Sequence, residues 1–225
     1  MTLGVIAVVL AVVLPAVSGV RSRARQAVVL ADLRTHAATF AAYSGQHRTM
    51  PAPTKQGEFT TTLVADGRAY GPYSYFDAHR AWPIAMAADW YGGGWRGGVF
   101  VTPRLRGAGF DGAQYLYPCA FLAAPEFWNA RTRAGGAQFR VVRPEEVRFP
   151  SAKAVIVENG AVLVVDGRLG LGMVDGSARM AAGRERVAGY HRGDGYQFAS
   201  DGAVHYFDGP ALLHTVDGVR GVDVR

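Results

Sequence analysis

His191 is followed by nine residues and then Asp201-Gly202. An imidazole and a carboxylate at that separation could meet across a tight turn. There the histidine would hydrogen-bond a carbonyl or the aspartate, and Gly202 would take the backbone angles the turn requires. The same residues with His205 and Asp208 also suggest a metal, but the mix lacks the regular Cys/His spacing of a zinc site and the oxygen count of a calcium loop. The expected role is therefore structural, with neither metal nor cofactor.

Other candidates for chemistry are weaker. Glu145-Glu146 follow Pro144 and read as the start of a turn or short helical cap rather than an acid–base pair. Gly167 to Gly172 is glycine-rich but lies among short strands, without the helix a phosphate loop needs. Cys119 sits in the apolar stretch Tyr117 to Leu122 and reads as a small buried hydrophobe. It is the only cysteine, so the chain has no internal disulfide. There is no G-x-S-x-G elbow, no H-E-x-x-H and no P-loop. The chain is not expected to be an enzyme. Its net charge of +6 comes from scattered arginines with no basic run of five or more, which argues against nucleic acid as a partner.

The elements that would position these residues differ sharply along the chain. Leu3 to Val20 holds 18 residues without a charge, just long enough for the apolar core of a bilayer. Pro15 lies inside it, tolerated in membrane helices. Arg21, Arg23 and Arg25 end the apolar run, yet nothing ends the helix: from Gln26 to Tyr43 there is neither Gly nor Pro. An apolar stripe recurs at Ala27, Leu30, Leu33, Ala37, Phe40 and Ala41, with Arg23, Arg25, Asp32, Arg34 and His36 mostly off it. Ser44-Gly45 supplies a stop. The expectation is one helix from Leu3 to Tyr43, its first half in a membrane and its second on a globular domain. The division is 1–44 for anchor and amphipathic helix, 45–225 for the domain.

In the domain, His47 to Thr62 reads as a polar connector. Strands are expected at Gly97 to Thr102, Gln138 to Val142, Ala154 to Glu158, Ala161 to Val165, Leu171 to Val174, Tyr196 to Ala199 and Ala203 to Phe207. Asn159-Gly160, Asp166-Gly167, Asp175-Gly176 and Asp201-Gly202 are hairpin signals among them. A helix followed by an antiparallel sheet gives α+β. Between Tyr70 and Trp128 lies a Gly/aromatic-rich insertion whose aromatics are expected to pack over the sheet.

The segment from Leu3 to Tyr43 resembles the N-terminal helix of type IV pilins and type II secretion pseudopilins. The shared features are the uncharged run, Pro15, the crossing from Ser18 to Arg25, Asp32-Leu33-Arg34 and the closing Tyr43. The spacing from His191 to Asp201-Gly202 resembles the H-x9-DG motif of a large bacterial family of pseudopilin-like proteins. Arg148 to Glu158 and Gly172 to Arg179 resemble that family's Pro-Ser…Glu strand and its D-G-S turn. One departure stands out. Aligned on Pro15, the glutamate that pilins carry at the fifth mature position falls before Met1, so either the chain starts late or the processing site is lost.

The resemblance implies a pilin-like fold and a non-catalytic structural subunit of a type II secretion or type IV pilus-like apparatus. Leu3, Pro15 and Val20 would belong to an inner-membrane anchor, and the domain would be extracytoplasmic. The partners would be the membrane and other pilin-like subunits, met through the N-terminal helix in a homo- or hetero-oligomer. The alternative is an anchored or secreted ligand-binding module, for which Trp82, Trp90 and Trp95 would line a concave aromatic pocket.

Overall fold

The computed structural model describes residues 2–52, 60–75, 81–103, 113–128, 131–132, 134–147, 149–151, 153–158 and 170–180, with the side chains of these except 2–10, 12, 74, 119 and 128. The fold is α+β: one long helix followed by two antiparallel sheets and a series of short turns.

Helix α1 runs unbroken from Thr2 to His47, 46 residues and thus ~69 Å at about 1.5 Å per residue. Its exposed hydroxyls are turned back onto their own backbone. Ser18 donates to the Pro15 carbonyl at 2.7 Å, Thr35 to Ala31 at 3.1 Å and Thr39 to Thr35 at 2.8 Å. The expected end at Tyr43 is one turn short. Gly45 stays helical, and the left-handed residue that stops the helix is Arg48, with φ of 58° and its N–H donating to the Ser44 carbonyl at 2.9 Å.

The stripe α1 buries is Val29, Leu33, His36, Ala37, Phe40 and Ser44. It is rotated from the expected one, because Ala27 is exposed and Leu30 only half-buried. Among residues with described side chains, Val29 is the first buried one on α1.

The stripe packs on a four-stranded antiparallel sheet of β3 (Tyr115–Leu116), β4 (Ala154–Glu158), β5 (Gly170–Met173) and β6 (Ala178–Met180), paired in that order. Helix α1 crosses β4, β5 and β6. Two glycines make its close approach possible. A Cβ on Gly170 would stand 2.7 Å from Val29 Cγ1. One on Gly172 would stand 3.1 Å from both Ala37 Cβ and the Leu33 carbonyl, and would strike Ile156. Strand β4, entirely buried, confirms the run read at Ala154 to Glu158. The Asp175-Gly176 hairpin is also present. Gly176 has φ of 86°, and the Asp175 carboxylate accepts from the Ser177 N–H and hydroxyl at 2.9 and 2.6 Å.

A second hairpin, β1 (Thr60–Ala65) with β2 (Arg68–Ser74), lies where the polar connector was expected to end. Its turn is Asp66-Gly67, with φ of 53° and 68° as a type I′ turn demands. It packs on helix α2 (Trp82–Trp90) through Leu63, Ala65, Tyr70 and Tyr73 against Ala81, Ile84, Ala87 and Trp95.

Two expected strands are absent. Gly97 to Thr102 turns at Gly97 and Gly98, both with positive φ, into a single 3-10 turn. Gln138 to Val142 is extended only at its end, where the Val142 N–H donates to the Phe121 carbonyl and its carbonyl accepts from Met50, both at 3.0 Å. Isolated bonds to two different segments do not make a ladder. The expected strands at Ala161 to Val165, Tyr196 to Ala199 and Ala203 to Phe207 lie outside the described residues, as do the Asn159-Gly160, Asp166-Gly167 and Asp201-Gly202 turns.

The helix–sheet contact leaves no room for a methyl group on β5, so Gly172→Ala should lower stability by about 1–3 kcal/mol as overpacking does. Gly45→Ala, in a helical site with nothing within 4 Å of its Cβ, should instead gain about 0.5–1 kcal/mol. Denaturant titration of the two variants beside the parent checks both signs.

Candidate functional site

The side chain that joins most of the molecule together is His36. It is 0% exposed and lies midway along the buried stripe of α1. Trp82, Phe100, Tyr91 and Tyr115 surround it, with ring centroids 5.1 to 5.7 Å away. Trp82 comes from α2, Tyr91 and Phe100 from the glycine-rich segment that follows it, and Tyr115 from β3.

Both ring nitrogens are engaged. Nε2 lies 2.9 Å from the Val99 carbonyl, and Nδ1 lies 2.8 Å from the Tyr91 hydroxyl. A carbonyl only accepts, which assigns the proton to Nε2. The neutral ring then accepts at Nδ1, and the Tyr91 hydroxyl donates. Burial holds the imidazole down to about 4, and the Val99 carbonyl opposes it only in part. Burial likewise raises the Tyr91 hydroxyl, against a hydrogen bond with Thr39. A chain of contacts thus runs from Tyr91 through His36 to Val99. One turn earlier on α1, Asp32 accepts from the Tyr115 hydroxyl at 3.1 Å. Trp82 donates its indole N–H to the Tyr115 carbonyl at 2.8 Å.

An imidazole with both nitrogens bonded, closed off by rings, is a clamp. It has no lone pair left for a metal or a substrate proton. It fastens α1 to the insertion and to the sheet edge. His36 falls off the stripe expected through Ala27, Leu30 and Ala41 and onto the observed one through Val29 and Ser44. The signal that finds it is positional: Leu33, His36, Ala37 and Phe40 lie at i, i+3, i+4 and i+7.

A second buried polar group sits at the end of β4. The Glu158 carboxylate accepts from the Thr102 hydroxyl at 3.0 Å and from the Gly170 N–H at 3.2 Å. It ties the loop after Phe100 to the start of β5. The pair Glu145-Glu146 splits as a cap would. Glu145 is exposed, and Glu146 accepts from the Arg143 N–H at 2.8 Å and pairs with Arg140 at 2.8 Å, which holds its carboxyl below the usual range. Half-exposed as that pair is, its worth is about 0–1 kcal/mol.

The tryptophans do not form one pocket. Trp82 is fully buried in the main core, Trp95 is buried in the cluster with Tyr70, and Trp90 stacks near Tyr43 and His47 at the end of α1. Gly170 and Gly172, the end of the glycine-rich run, serve the approach of α1. His191, Asp201 and Gly202 lie outside the described residues, and so does the Cys119 side chain. Among the described residues no three His, Cys, Asp or Glu side chains are grouped to hold a metal.

Of the anchor residues, Leu3, Pro15 and Val20 are all on α1, and Val20 is 67% exposed. Among the described residues no helix is long and apolar enough to cross a membrane. The first part of the uncharged run falls among the side chains not described. Comparisons with family models, curated proteins and solved structures find no match to this chain.

The clamp makes stability depend on pH in a definite direction. His36 binds a proton near pH 6.5 when unfolded and only near 4 when folded. Its contribution is complete above pH 6.5 and is lost as pH falls toward 4, by about 3 kcal/mol in all. Equilibrium unfolding from pH 7.5 to 4 should show this slope, and His36→Gln, less stable throughout, should lack that part of it.

Proposed function

We propose that the chain is a pseudopilin-like structural subunit of a type II secretion or type IV pilus-like apparatus. Leu3 to Val20 would anchor it in the inner membrane. The domain would stand on the extracytoplasmic side, without a catalytic role.

The observation that carries this reading is the outward face of α1. Opposite the buried stripe, Val17, Val20, Ala24, Ala31, Ala38 and Ala42 are all exposed. They follow one another at three-, four- and seven-residue steps, so they form a single line along the helix. Thr35 lies on the same line with its hydroxyl bonded back to the Ala31 carbonyl, so the line carries no charge and no unsatisfied donor. It begins in the apolar half and continues behind the globular domain. One face of a single rigid helix holds the sheet while the other stays smooth and small. Such a surface favours close helix–helix approach. Subunits whose helices bundle while their sheets face outward would need that division. The His36 clamp suits the same purpose, because it makes the domain move with the helix as one body.

The test is membrane fractionation with site-directed cross-linking. The full chain should stay with membranes through alkaline extraction, and Val13→Asp with Val17→Asp should release it. In a Cys119→Ser background, cysteine in place of Ala24 or Ala38 should give disulfide-linked subunits in the membrane, and in place of the exposed Arg68 it should not. A mature N-terminus at Val20, found by mass spectrometry, would overturn the reading, since the anchor would then have been removed.

A further inference from the structure

The three arginines that follow the apolar run have a geometry of their own. Arg21, Arg23 and Arg25 are all exposed. Successive residues of an α-helix are turned by about 100°, so Arg21 and Arg25 point to one side and Arg23 to nearly the opposite side. No one-sided partner meets all three. Along the axis they occupy only ~6 Å. A plane that surrounds the helix can meet all of them, and the headgroup layer of one leaflet, about 5–8 Å deep outside the hydrocarbon, has the matching thickness.

Among the described residues the charges also lack a local partner. No acidic residue occurs on α1 before Asp32, and Asp32 accepts from the Tyr115 hydroxyl. Among the described residues none of the three arginines is paired with a carboxylate. Arg21 and Arg25 are four residues apart, a like-charge spacing that costs a helix a few tenths of a kcal/mol. An external anion would relieve that repulsion. One turn further on, Val29 is the first buried residue among those with described side chains, so the packed part of α1 begins immediately beyond the collar.

We propose that Arg21, Arg23 and Arg25 form a collar that binds the phosphate groups of anionic phospholipids around the helix and seats the domain against the headgroup plane. This rests on the membrane reading above and adds a lipid class to it. Guanidinium suits the role because its fork meets two phosphate oxygens at once.

The test is lipid selectivity of the full chain in vesicles of phosphatidylcholine mixed with phosphatidylglycerol, followed with spin-labelled forms of each lipid. Phosphatidylglycerol should be enriched among the lipids immobilised by the protein, by roughly fivefold per arginine engaged, and less so at high salt. The Arg21→Gln, Arg23→Gln, Arg25→Gln triple variant should lose the enrichment, and the corresponding triple lysine variant should keep most of it. All three sites are exposed, so thermal unfolding of the domain should be unchanged in both. Equal association of the two lipids with the parent, or enrichment that survives the glutamine triple variant, would overturn the collar while leaving the anchor intact. Absence of any immobilised lipid would instead remove the anchor reading, and the collar with it.

Discussion

The described part of the fold hangs on the contact between the second half of α1 and the two glycines of β5. Gly170 and Gly172 leave no side chain between strand and helix, so Val29, Leu33 and Ala37 come down directly on the sheet. Ile156 on β4, itself buried, closes over Gly172 from the neighbouring strand, and Phe40 packs further along α1 against Trp82 and Tyr117. Burying a side chain the size of Leu33 or Phe40 contributes about 1.5–3 kcal/mol. The glycines themselves contribute none of that. Their value is the short distance they allow, which turns a loose helix–sheet contact into a close-packed one.

The aromatic insertion depends on that seat. Once α1 is set on the sheet, His36 meets Trp82, Tyr91, Phe100 and Tyr115, and its two nitrogens capture Tyr91 and Val99. The segment around them is short of regular structure and rich in glycine. A segment of this kind gains little from its own backbone bonds. It is held by side chains that reach a common centre. A neutral buried histidine serves well there, because it offers a donor and an acceptor in one flat ring and stacks with its neighbours. The same burial that fixes the ring makes protonation costly, so the anchoring of the insertion and its sensitivity to acid have one cause.

A long helix can serve two purposes only if its faces are kept apart. On α1 the sheet-facing stripe holds the large side chains and the histidine. The opposite line holds valine and alanine, and the guanidinium groups sit where the domain ends. The 3.6-residue repeat makes these assignments independent of one another. A change on the outward line alters what the helix meets without touching the core. A change at Leu33 or His36 alters the core without touching the outward line.

Much of this was legible in the chain itself. The uncharged run, the lack of a helix breaker from Gln26 to Tyr43, the β-branched run Ala154 to Glu158 and the Asp175-Gly176 turn each follow from local chemistry, and each is present. Local chemistry could not say which way the amphipathic half of α1 is turned, because alanine and valine occupy nearly every face and differ little in hydropathy. Only the docking on Gly170 and Gly172 decides that Val29 and His36 are inside and Ala27 outside. Nor could it show that Gly97 to Thr102 is a turn, since valine, phenylalanine and threonine favour strands until two glycines with positive φ redirect them. The 1–44 segment was plain as a helix from its residues alone. That its one histidine would become the centre to which the distant aromatics converge is a property of the packed chain, because Trp82, Tyr91, Phe100 and Tyr115, all remote from it in sequence, meet it only after the helix has found its sheet.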